Sequence, residues 1–367
     1  MKDSDSQRHL LFTPGPLTTS PQVKREMLVD CGSREPRFIE VVREIRNELL
    51  ELAGVRQSDG YEAVPMQGSG TFGIESAIGS LIPDEGKLLV VVNGAYGRRI
   101  VQIAERLRIA AISLEFEETE LPDPGAIDTL LRDDRSITHV ALVHCETTTG
   151  ILNPIDAVAD LVSRHRKVFL VDAMSSFGGI PINVAEKKID VLISSANKCL
   201  EGVPGFSFVL TRRELLENSR GNARSVSLDL VEQWEALEKN GQFRFTPPTH
   251  ALLAFREALR ELREEGGVTA RYQRYRNNHT TLVEGMSGLG FESLLSPELR
   301  SPVITTFVEP DDSEFDFTKF YEHLAARNLI IYPGKLSRAP SFRIGTIGKI
   351  NSDDIHRLLT AVREFSS

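Results

Sequence analysis

The chain has 367 residues, of which 41% are hydrophobic, and its formal net charge is -9. That length is more than one core usually organises, so we predict two domains. The negative net charge and the scattered lysines and arginines argue against a nucleic-acid or anionic-membrane partner and favour small molecules. The start MKDSDSQRHL lacks the apolar stretch of a signal peptide, and no apolar run approaches the ~20 residues of a membrane span. We therefore expect a cytoplasmic protein.

Cysteine and histidine spacing excludes two further classes of site. Cys31, Cys145 and Cys199 are odd in number and form no CxxC pair, which argues against a disulfide framework and a zinc knuckle. The histidines are dispersed and show no HExxH spacing, so we expect no metal site.

Apolar, β-rich runs recur between segments of helical character in the first 210 residues. The runs are continuous rather than alternating, as strands covered on both faces should be. We therefore predict an α/β fold with a mostly parallel sheet. The runs are LLVVVN (88–93), AISLEF (111–116), HVALVHC (139–145), KVFLVDA (167–173), DVLISSA (190–196) and GFSFVL (205–210).

The pattern changes after TPPTH (246–250), where the helical stretch ALLAFREALRELREEGG leads into a region with fewer strands. We predict a large domain over 21–250 and a smaller α+β domain over 251–367. Its last helix, DDIHRLLTAVREF, has acids in its first turn and Ser352 as its predicted cap.

In an open α/β sheet, ligands bind at the carboxyl ends of the strands. The first such end carries Gly68, Gly70 and Gly73 in the G-x-G-x-x-G spacing of dinucleotide-binding loops. A nicotinamide site also needs an acidic residue at the end of the next strand, but that strand ends at Asn93. The spacing alone therefore gives weak support to a dinucleotide.

The same loop is suited to a single phosphate. Ser69, Gly70 and Thr71 would present hydroxyls and backbone N–H groups at a helix N-terminus, where the dipole favours an anion. An ordinary glycine-rich helix cap fits these residues equally well.

Two further strand ends are ambiguous. Tyr96 lies between glycines that leave a flat ring room to approach, although an aromatic here is more often a core or rim residue. In HCETTTGILNP (144–154), Thr147 and the two threonines after it could bind a phosphate or ring oxygen, or could cap a turn.

A carboxylate and a lysine follow two successive strands. Asp172 ends an apolar strand, where an ionised carboxylate is costly unless it faces a cation or a protonated heterocycle. Lys198 follows the next strand in ISSANKCLEGVPG (193–205), among small residues and glycines. Adjacent parallel strands would bring both side chains to the same edge of the sheet. A structural salt bridge and a catalytic role are both compatible with this pair.

Together, a phosphate loop, a stacking aromatic, a buried aspartate and a strand-end lysine match the requirements of pyridoxal 5'-phosphate. The amine of Lys198 would bond to the cofactor's aldehyde, and a desolvated lysine has the lowered pKa that this bond formation needs. Asp172 would keep the pyridine nitrogen protonated, which makes the ring an electron sink. The small residues around Lys198 would leave space for the ring.

The sequence also resembles the fold-type-I, class-V aminotransferases, nearly from end to end. The blocks VDAMSSFGGIP and SSANKCLEGVPGF are specific to the branch that moves the amino group of 2-aminoethylphosphonate to pyruvate. Tyr96 favours the same branch, because relatives of the glyoxylate branch commonly have tryptophan there. The similar segments, in the family's order, are LLFTPGPLTTS (10–20), QGSGTFGIE, VNGAYGRR, HCETTTGILNPI, VDAMSSFGGIP, ISSANKCLEGVPGF, RFTPPTH and FRIGTIG.

The resemblance implies the fold, the assembly and the site. It implies the type I fold of pyridoxal-phosphate-dependent transferases, with segment 1–20 near the active site, and a homodimer with shared active sites. Lys198 would carry the cofactor, Asp172 would pair with the pyridine nitrogen, and Arg343 would bind the acidic group of the substrate. The other implied cofactor contacts are Tyr96 on the ring, Ser69, Gly70 and Thr71 on the phosphate, Thr147 and Asn197 nearby, and Thr246 reaching the partner subunit's cofactor phosphate.

Two other functions stay open at this point. The chain could be an alanine:glyoxylate or serine:pyruvate transaminase, since FTPGP and RIG are shared with those relatives. It could also be a nicotinamide-dependent oxidoreductase that uses the glycine pattern. Arg34 and Arg37 are candidates for a second phosphonate anchor, but we interpret both as solvated loop arginines.

Overall fold

The structure, a computed structural model, describes residues 8–311, 315–334 and 340–365. Its strands are β1 (Leu10–Leu11), β2 (Tyr61–Gln67), β3 (Lys87–Val92), β4 (Ala110–Glu115), β5 (His139–Val143), β6 (Cys145–Glu146), β7 (Ile151–Leu152), β8 (Val168–Asp172), β9 (Val191–Ser195), β10 (Phe206–Arg212), β11 (Ile304–Val308), β12 (Leu329–Ile330), β13 (Tyr332–Pro333) and β14 (Ser341–Gly345). Its α-helices are α1 (Pro21–Glu26), α2 (Pro36–Leu52), α3 (Gly70–Leu81), α4 (Ala95–Arg106), α5 (Pro124–Asp133), α6 (Ile155–Arg164), α7 (Arg213–Asn218), α8 (Leu230–Asn240), α9 (Thr249–Glu265), α10 (Gly267–Ser287), α11 (Phe317–Ala325) and α12 (Ser352–Phe365). Short 3₁₀ turns lie at Gln57–Asp59 and Pro297–Leu299.

A seven-stranded sheet in the order β2-β10-β9-β8-β5-β3-β4 forms the centre of the molecule. Strands β9, β8, β5, β3 and β4 run parallel, whereas β10 runs antiparallel to both β2 and β9. Every residue of β5 and β9 is buried, because helices cover both faces of the sheet. The predicted α/β fold with a mostly parallel sheet is confirmed.

The helices bury one apolar face each against this sheet. In α2 the buried residues Val41, Val42, Ile45 and Leu49 recur at the three- and four-residue spacing of a helix face. Between β3 and β4, α4 buries Ile100 and the residues one turn later in the same way. These connections set the strand ends, and therefore the loops after them, at one edge of the sheet.

A second, three-stranded antiparallel sheet in the order β11-β14-β13 lies in the C-terminal part of the chain. Its core is rich in phenylalanine, and the rings of Phe307 and Phe342 stack with centroids 5.7 Å apart. Strand β1 pairs in parallel with β12, with Leu10 opposite Leu329, which ties the N-terminal segment to this region.

The last helix begins differently from the prediction. Ser352 is the first residue of α12 rather than its cap. The side chain of Asn351 accepts a hydrogen bond from the N–H of Asp354, whose carboxylate accepts one from the N–H of Asn351. Because an asparagine with an acid three residues later satisfies two free N–H groups at once, Asn351 replaces Ser352 as the cap.

The boundary predicted near residue 251 falls inside α9. The apolar side chains of this helix belong to the core around the seven-stranded sheet, and the ring of Phe255 lies 5.0 Å from that of Phe206. The division into residues 21–250 and 251–367 stays a prediction.

Candidate active site

The sheet register brings Asp172 and Lys198 to the same edge. Asp172 is the last residue of β8 and pairs with Ile193 of β9, the adjacent parallel strand. Lys198 follows the end of β9 by three residues. The two side chains therefore meet beyond the carboxyl ends of neighbouring strands, as the sequence predicts.

A cavity of about 240 Å³ opens at this point. Seven of the residues proposed from the sequence line it, namely Ser69, Gly70, Thr71, Tyr96, Asp172, Asn197 and Lys198. Further lining residues are Gly15, Ile74, Arg99, Val143, Cys145, Met174, Ser175 and Ser195. Groups from five strand ends and from the N-terminal segment thus converge on one space.

Lys198 lies partly buried at the base of the cavity. Its Nζ donates a hydrogen bond to the carbonyl of Pro14 at 2.6 Å. Gly15 is packed so closely that a Cβ there would lie 2.7 Å from Cδ of Lys198. Burial lowers the pKa of the Lys198 amine, and the nearby Tyr96 and Asp172 oppose that change. A lowered pKa increases the fraction of free amine, the form that can act as a nucleophile or base.

Asp172 is 4% exposed, and few hydrogen-bond donors reach its carboxylate. One carboxylate oxygen accepts the N–H of Met174 at 2.9 Å. Burial, aided by the nearby Glu146, raises the pKa of Asp172 to about 6, although the N–H of Met174, Lys198 and Arg99 act to lower it. A cationic partner at this carboxylate would offset the cost of its burial.

The N-terminus of α3 forms the far wall. Ser69 precedes the helix in an extended conformation, yet within the described part of the chain its hydroxyl makes no capping bond. Gly70 allows a close approach, since a Cβ there would lie 2.2 Å from the sulfur of Met174. The Thr71 hydroxyl accepts a hydrogen bond from Arg99. The Ser69 hydroxyl is thus not used as a cap, and it faces the cavity together with the start of α3, which favours the anion interpretation.

Glu146 is a buried carboxylate that no motif pointed to. One oxygen accepts the N–H groups of Tyr96 at 3.0 Å and Gly97 at 3.4 Å. The other accepts the N–H and the hydroxyl of Thr148. In the sequence, Gly94 is a sign of this contact, because any larger residue there would place a Cβ 2.3 Å from Cγ of Glu146. Glu146 thus fixes the start of α4, and with it the position of Tyr96.

Arg343 is fully buried on β14 and is held by backbone carbonyls. Its Nε donates to the carbonyl of Pro333 at 3.0 Å, and Nη1 donates to that of Thr147 at 2.9 Å. The guanidinium lies 5.3 Å from the ring of Tyr332. Burial lowers the pKa of Arg343, and the nearby Tyr96 opposes this. Among the described residues, Nη2 makes no hydrogen bond of ordinary geometry, although the Tyr96 side chain lies close to the guanidinium.

Some predicted residues lie outside the cavity, and Arg343, which is fully buried, is not among the residues that line it. Thr147 does not line it, although its carbonyl binds Arg343. Thr246 is exposed, and its carbonyl accepts a hydrogen bond from the Gln67 side chain at 2.8 Å. Arg34 lies on the loop before α2 and Arg37 in the first turn of that helix, and both are exposed, as expected for solvated arginines.

The glycine pattern does not occupy a dinucleotide-binding unit. Strand β2, which precedes it, lies at the sheet edge and runs antiparallel to its neighbour β10. The Asn93 side chain at the end of β3 is hydrogen-bonded to Asn153. A dinucleotide site requires a parallel βαβ unit and an acid at that position, so the nicotinamide alternative loses its support.

The donor set fits pyridoxal 5'-phosphate. An amine, a carboxylate with a raised pKa, and hydroxyls at a helix N-terminus correspond to its aldehyde, pyridine nitrogen and phosphate. Ser195 lines the cavity with a buried hydroxyl that has no partner in the described ranges. This leaves a further polar contact for a ligand.

Two other features are absent from the described residues. No group of three or more His, Cys, Asp and Glu side chains there is arranged to hold a metal ion. No helix there is long and apolar enough to cross a lipid bilayer. The three cysteines have free thiols, and those of Cys145 and Cys199 are buried.

Comparison with known proteins places these observations in a family context. The family profile described as aminotransferase class-V matches residues 23–347. A 2-aminoethylphosphonate–pyruvate transaminase of Vibrio vulnificus is 53% identical over 358 residues, and that of Klebsiella pneumoniae subsp. pneumoniae is 51% identical over 359; both alignments cover 97% of each chain. The crystal structure of ureidoglycine-glyoxylate aminotransferase from Bacillus subtilis is similar with a TM-score of 0.88 at 27% identity, covering 99% of this chain and 94% of the other.

Proposed function

The chain belongs to the class-V aminotransferase family, and on that premise we propose that it transfers the amino group of 2-aminoethylphosphonate to pyruvate with pyridoxal 5'-phosphate as cofactor. The products are phosphonoacetaldehyde and L-alanine. The observation that carries the proposal is the convergence of Lys198 and Asp172 in one cavity with the N-terminus of α3. The two relatives named above, each more than 50% identical, bear the name of this activity.

Lys198 and Asp172 would do the chemical work on the cofactor. When bound, the cofactor supplies an electron sink for the amine-bearing carbon of the donor. Nζ of Lys198, with a pKa lowered by burial, would hold the cofactor at its aldehyde carbon and, once the donor's amine had displaced it, would be the base that takes the proton from the amine-bearing carbon. The Asp172 carboxylate would hold the proton on the pyridine nitrogen. Tyr96 would pack on the ring, and Ser69, Gly70 and Thr71 would hold the phosphate.

Arg343 would select an anionic substrate. Its backbone contacts fix the guanidinium, and Nη2 makes no hydrogen bond of ordinary geometry among the described residues. Carboxylate and phosphonate oxygens can each accept a charge-assisted hydrogen bond from a guanidinium N–H. One arginine can therefore serve the donor and the acceptor in turn, as a ping-pong reaction requires.

A homodimer with shared active sites belongs to the same proposal. Thr246 lies outside the cavity of its own chain and beside Phe245, which is 45% exposed. Phe72, next to Thr71 of the cavity wall, is 50% exposed. Two large apolar side chains at these positions favour contact with a second copy. In an isologous dimer each Thr246 would reach the phosphate in the opposite subunit. The cytoplasmic location expected from the sequence stays a prediction.

The activity is tested with a panel of amino donors while alanine formation from pyruvate is followed. We expect 2-aminoethylphosphonate to be by far the best donor. Serine and alanine, the latter with glyoxylate as acceptor, test the two alternatives within the family. Taurine is the matched control, since it has the same carbon skeleton but a singly charged sulfonate. A preference for serine, or an enzyme that gains no visible absorption band with pyridoxal 5'-phosphate, would overturn the proposal.

A further inference from the structure

Arg99 is a cation in the cavity wall that no motif singled out. It lies in the first turns of α4 and lines the cavity together with Ser69 and Thr71. Its Nη1 donates a hydrogen bond to Oγ1 of Thr71 at 3.3 Å. Its guanidinium carbon lies 4.9 Å from the centre of the Tyr96 ring. The side chain is thus fixed between the phosphate loop and the ring-stacking residue.

The neighbouring arginine shows how unusual this placement is. Arg98 is exposed and pairs with Glu118 at 2.9 Å and Glu115 at 3.9 Å. Arg99 is only partly exposed, and no carboxylate in the described ranges lies within ion-pair distance of it. Because Arg99 lines the cavity and no carboxylate balances its charge there, the guanidinium is suited to an anion from outside the chain.

The phosphate end of the cavity needs such a cation. A phosphate monoester carries about -1.5 to -2 charges near neutral pH. The start of α3 offers N–H groups and hydroxyls, which are neutral donors, and Lys198 is directed to Pro14. A guanidinium adds a full charge and a planar fork of donors.

We propose that Arg99 binds the phosphate of pyridoxal 5'-phosphate and supplies the positive charge of that subsite. This inference rests on the proposed function, which assigns the cofactor to the cavity. The substrate phosphonate has similar chemistry, but Arg99 contacts Thr71 in the phosphate loop, whereas Arg343 contacts Thr147. Tyr96 packs against the Arg99 guanidinium, whose N–H donors lie in the plane of the group, as recognition of an anion requires.

The test compares two probes that differ only in the phosphate. Dialysed parent enzyme, Arg99→Gln and the control Arg98→Gln are titrated with pyridoxal 5'-phosphate and with pyridoxal, and binding is measured by absorbance. We expect Arg99→Gln to weaken pyridoxal 5'-phosphate binding about 10- to 100-fold, with little change for pyridoxal. Arg98→Gln should match the parent with both probes. At saturating cofactor, the KM for 2-aminoethylphosphonate should not change.

Each other result decides against the inference. Equal weakening of both probes would mean that Arg99 only supports Tyr96, and a raised KM at saturating cofactor would assign it to the substrate. Should Arg99→Gln fail to fold, Arg99→Lys keeps the charge but not the fork, and we expect an intermediate loss confined to pyridoxal 5'-phosphate. If the parent enzyme itself binds neither probe, the proposed function fails rather than the role of Arg99.

Discussion

Two groups of buried charge lie on opposite sides of the loop after β9, and they are built differently. On the cavity side lies the reactive pair, Lys198 and Asp172. On the other side lies the ion cluster, formed by Glu201, Glu265, Arg271, Arg274 and Tyr275. In the cluster each charge has an opposite charge within reach, whereas the reactive pair relies on two backbone contacts.

The partners of the ion cluster explain its stability. Glu201 is 3% exposed and accepts from Arg274 and from the Tyr275 hydroxyl, each at 2.7 Å. Arg271 is fully buried, pairs with Glu265 at 2.9 Å, and donates to the carbonyl of Cys199 at 3.0 Å. The cluster therefore anchors the chain one residue after Lys198.

The pKa directions express the same contrast. Burial acts to lower the pKa of Arg271, as it lowers that of Lys198. The nearby Glu201 outweighs burial, so the pKa of Arg271 is raised. The pKa of Lys198 is lowered because its partners do not outweigh burial. Matched buried charges hold a fold together, and unmatched ones are available for chemistry.

The largest effect is expected at the reactive pair. Lys198→Ala should reduce turnover by more than about 10³-fold, because no other amine lines the described cavity to move the proton. The variant should stay folded and still hold the cofactor without a covalent bond. Turnover and the visible spectrum are measured together, and near-normal turnover with an unchanged absorption band would remove Lys198 from its role.

The ion cluster should respond in the opposite way. Glu201→Gln keeps the shape but removes one of the two carboxylates that face Arg271 and Arg274, which should cost about 3–5 kcal/mol of unfolding free energy. Turnover per folded molecule should stay close to that of the parent. Urea unfolding with a parallel assay of the folded fraction checks this. Normal stability with lost turnover would place Glu201 among the catalytic groups, and the ion cluster would then not differ from the reactive pair in its role.

A smaller effect is expected where the site extends to the second subunit. Thr246→Ala should weaken cofactor retention by about 1.5–3 kcal/mol, the value of one hydrogen bond to a charged group. Equilibrium dialysis of the cofactor measures this, with the melting temperature as the control for folding. Unchanged retention would count against the contribution of Thr246.

Mixing two inactive chains tests the shared site itself. In the proposed dimer, each site takes Lys198 from one subunit and Thr246 from the other. A mixed dimer of a Lys198→Ala chain and a Thr246→Arg chain would therefore have both substitutions in one site and neither in the other. About a quarter of the parent activity should return, because about half of the dimers are mixed and each has one good site. No recovery although subunits exchange, or a fully active monomer in sedimentation, would refute the shared site.

Much of the large sheet could be predicted from local sequence. Continuous apolar runs located β3, β4, β5, β8, β9 and β10, and the strand-end rule brought Asp172 and Lys198 together. Strand β2 was not among the apolar runs, although the glycine loop after it was interpreted as a strand end, and its sequence contains Pro65 and the buried Glu62. Glu62 is tolerated there since Arg46 and Arg213 pair with it, from positions that are distant in sequence.

The residues that support the reactive groups make contacts that no local sequence pattern predicts. Glu146 reaches Tyr96 across 50 residues, and Arg343 reaches Thr147 across 196. Arg99 and Arg98 are adjacent in sequence, yet helix geometry directs one toward the cavity and the other toward Glu118. Residue type and spacing identify the reactive groups, whereas their supports become visible only with the fold.

The measurement that tests the contrast most directly is the unfolding free energy of Asp172→Asn, taken with its turnover. Because burial raises the pKa of Asp172 to about 6 from an ordinary 3.8, the cofactor-free folded chain holds a proton that the unfolded chain has released. The stability from this proton is fully present below pH 3.8 and is lost as the pH rises through about 6. Asp172→Asn removes that loss. At pH 8 the free energy of unfolding of the cofactor-free variant should therefore not be below that of the parent, and it should exceed it by up to about 3 kcal/mol. Its turnover should fall by roughly 10²-fold or more, since an amide cannot hold the pyridinium proton through charge. A variant that unfolds more easily while each folded molecule keeps its turnover would contradict the account and make Asp172 a structural ion-pair partner.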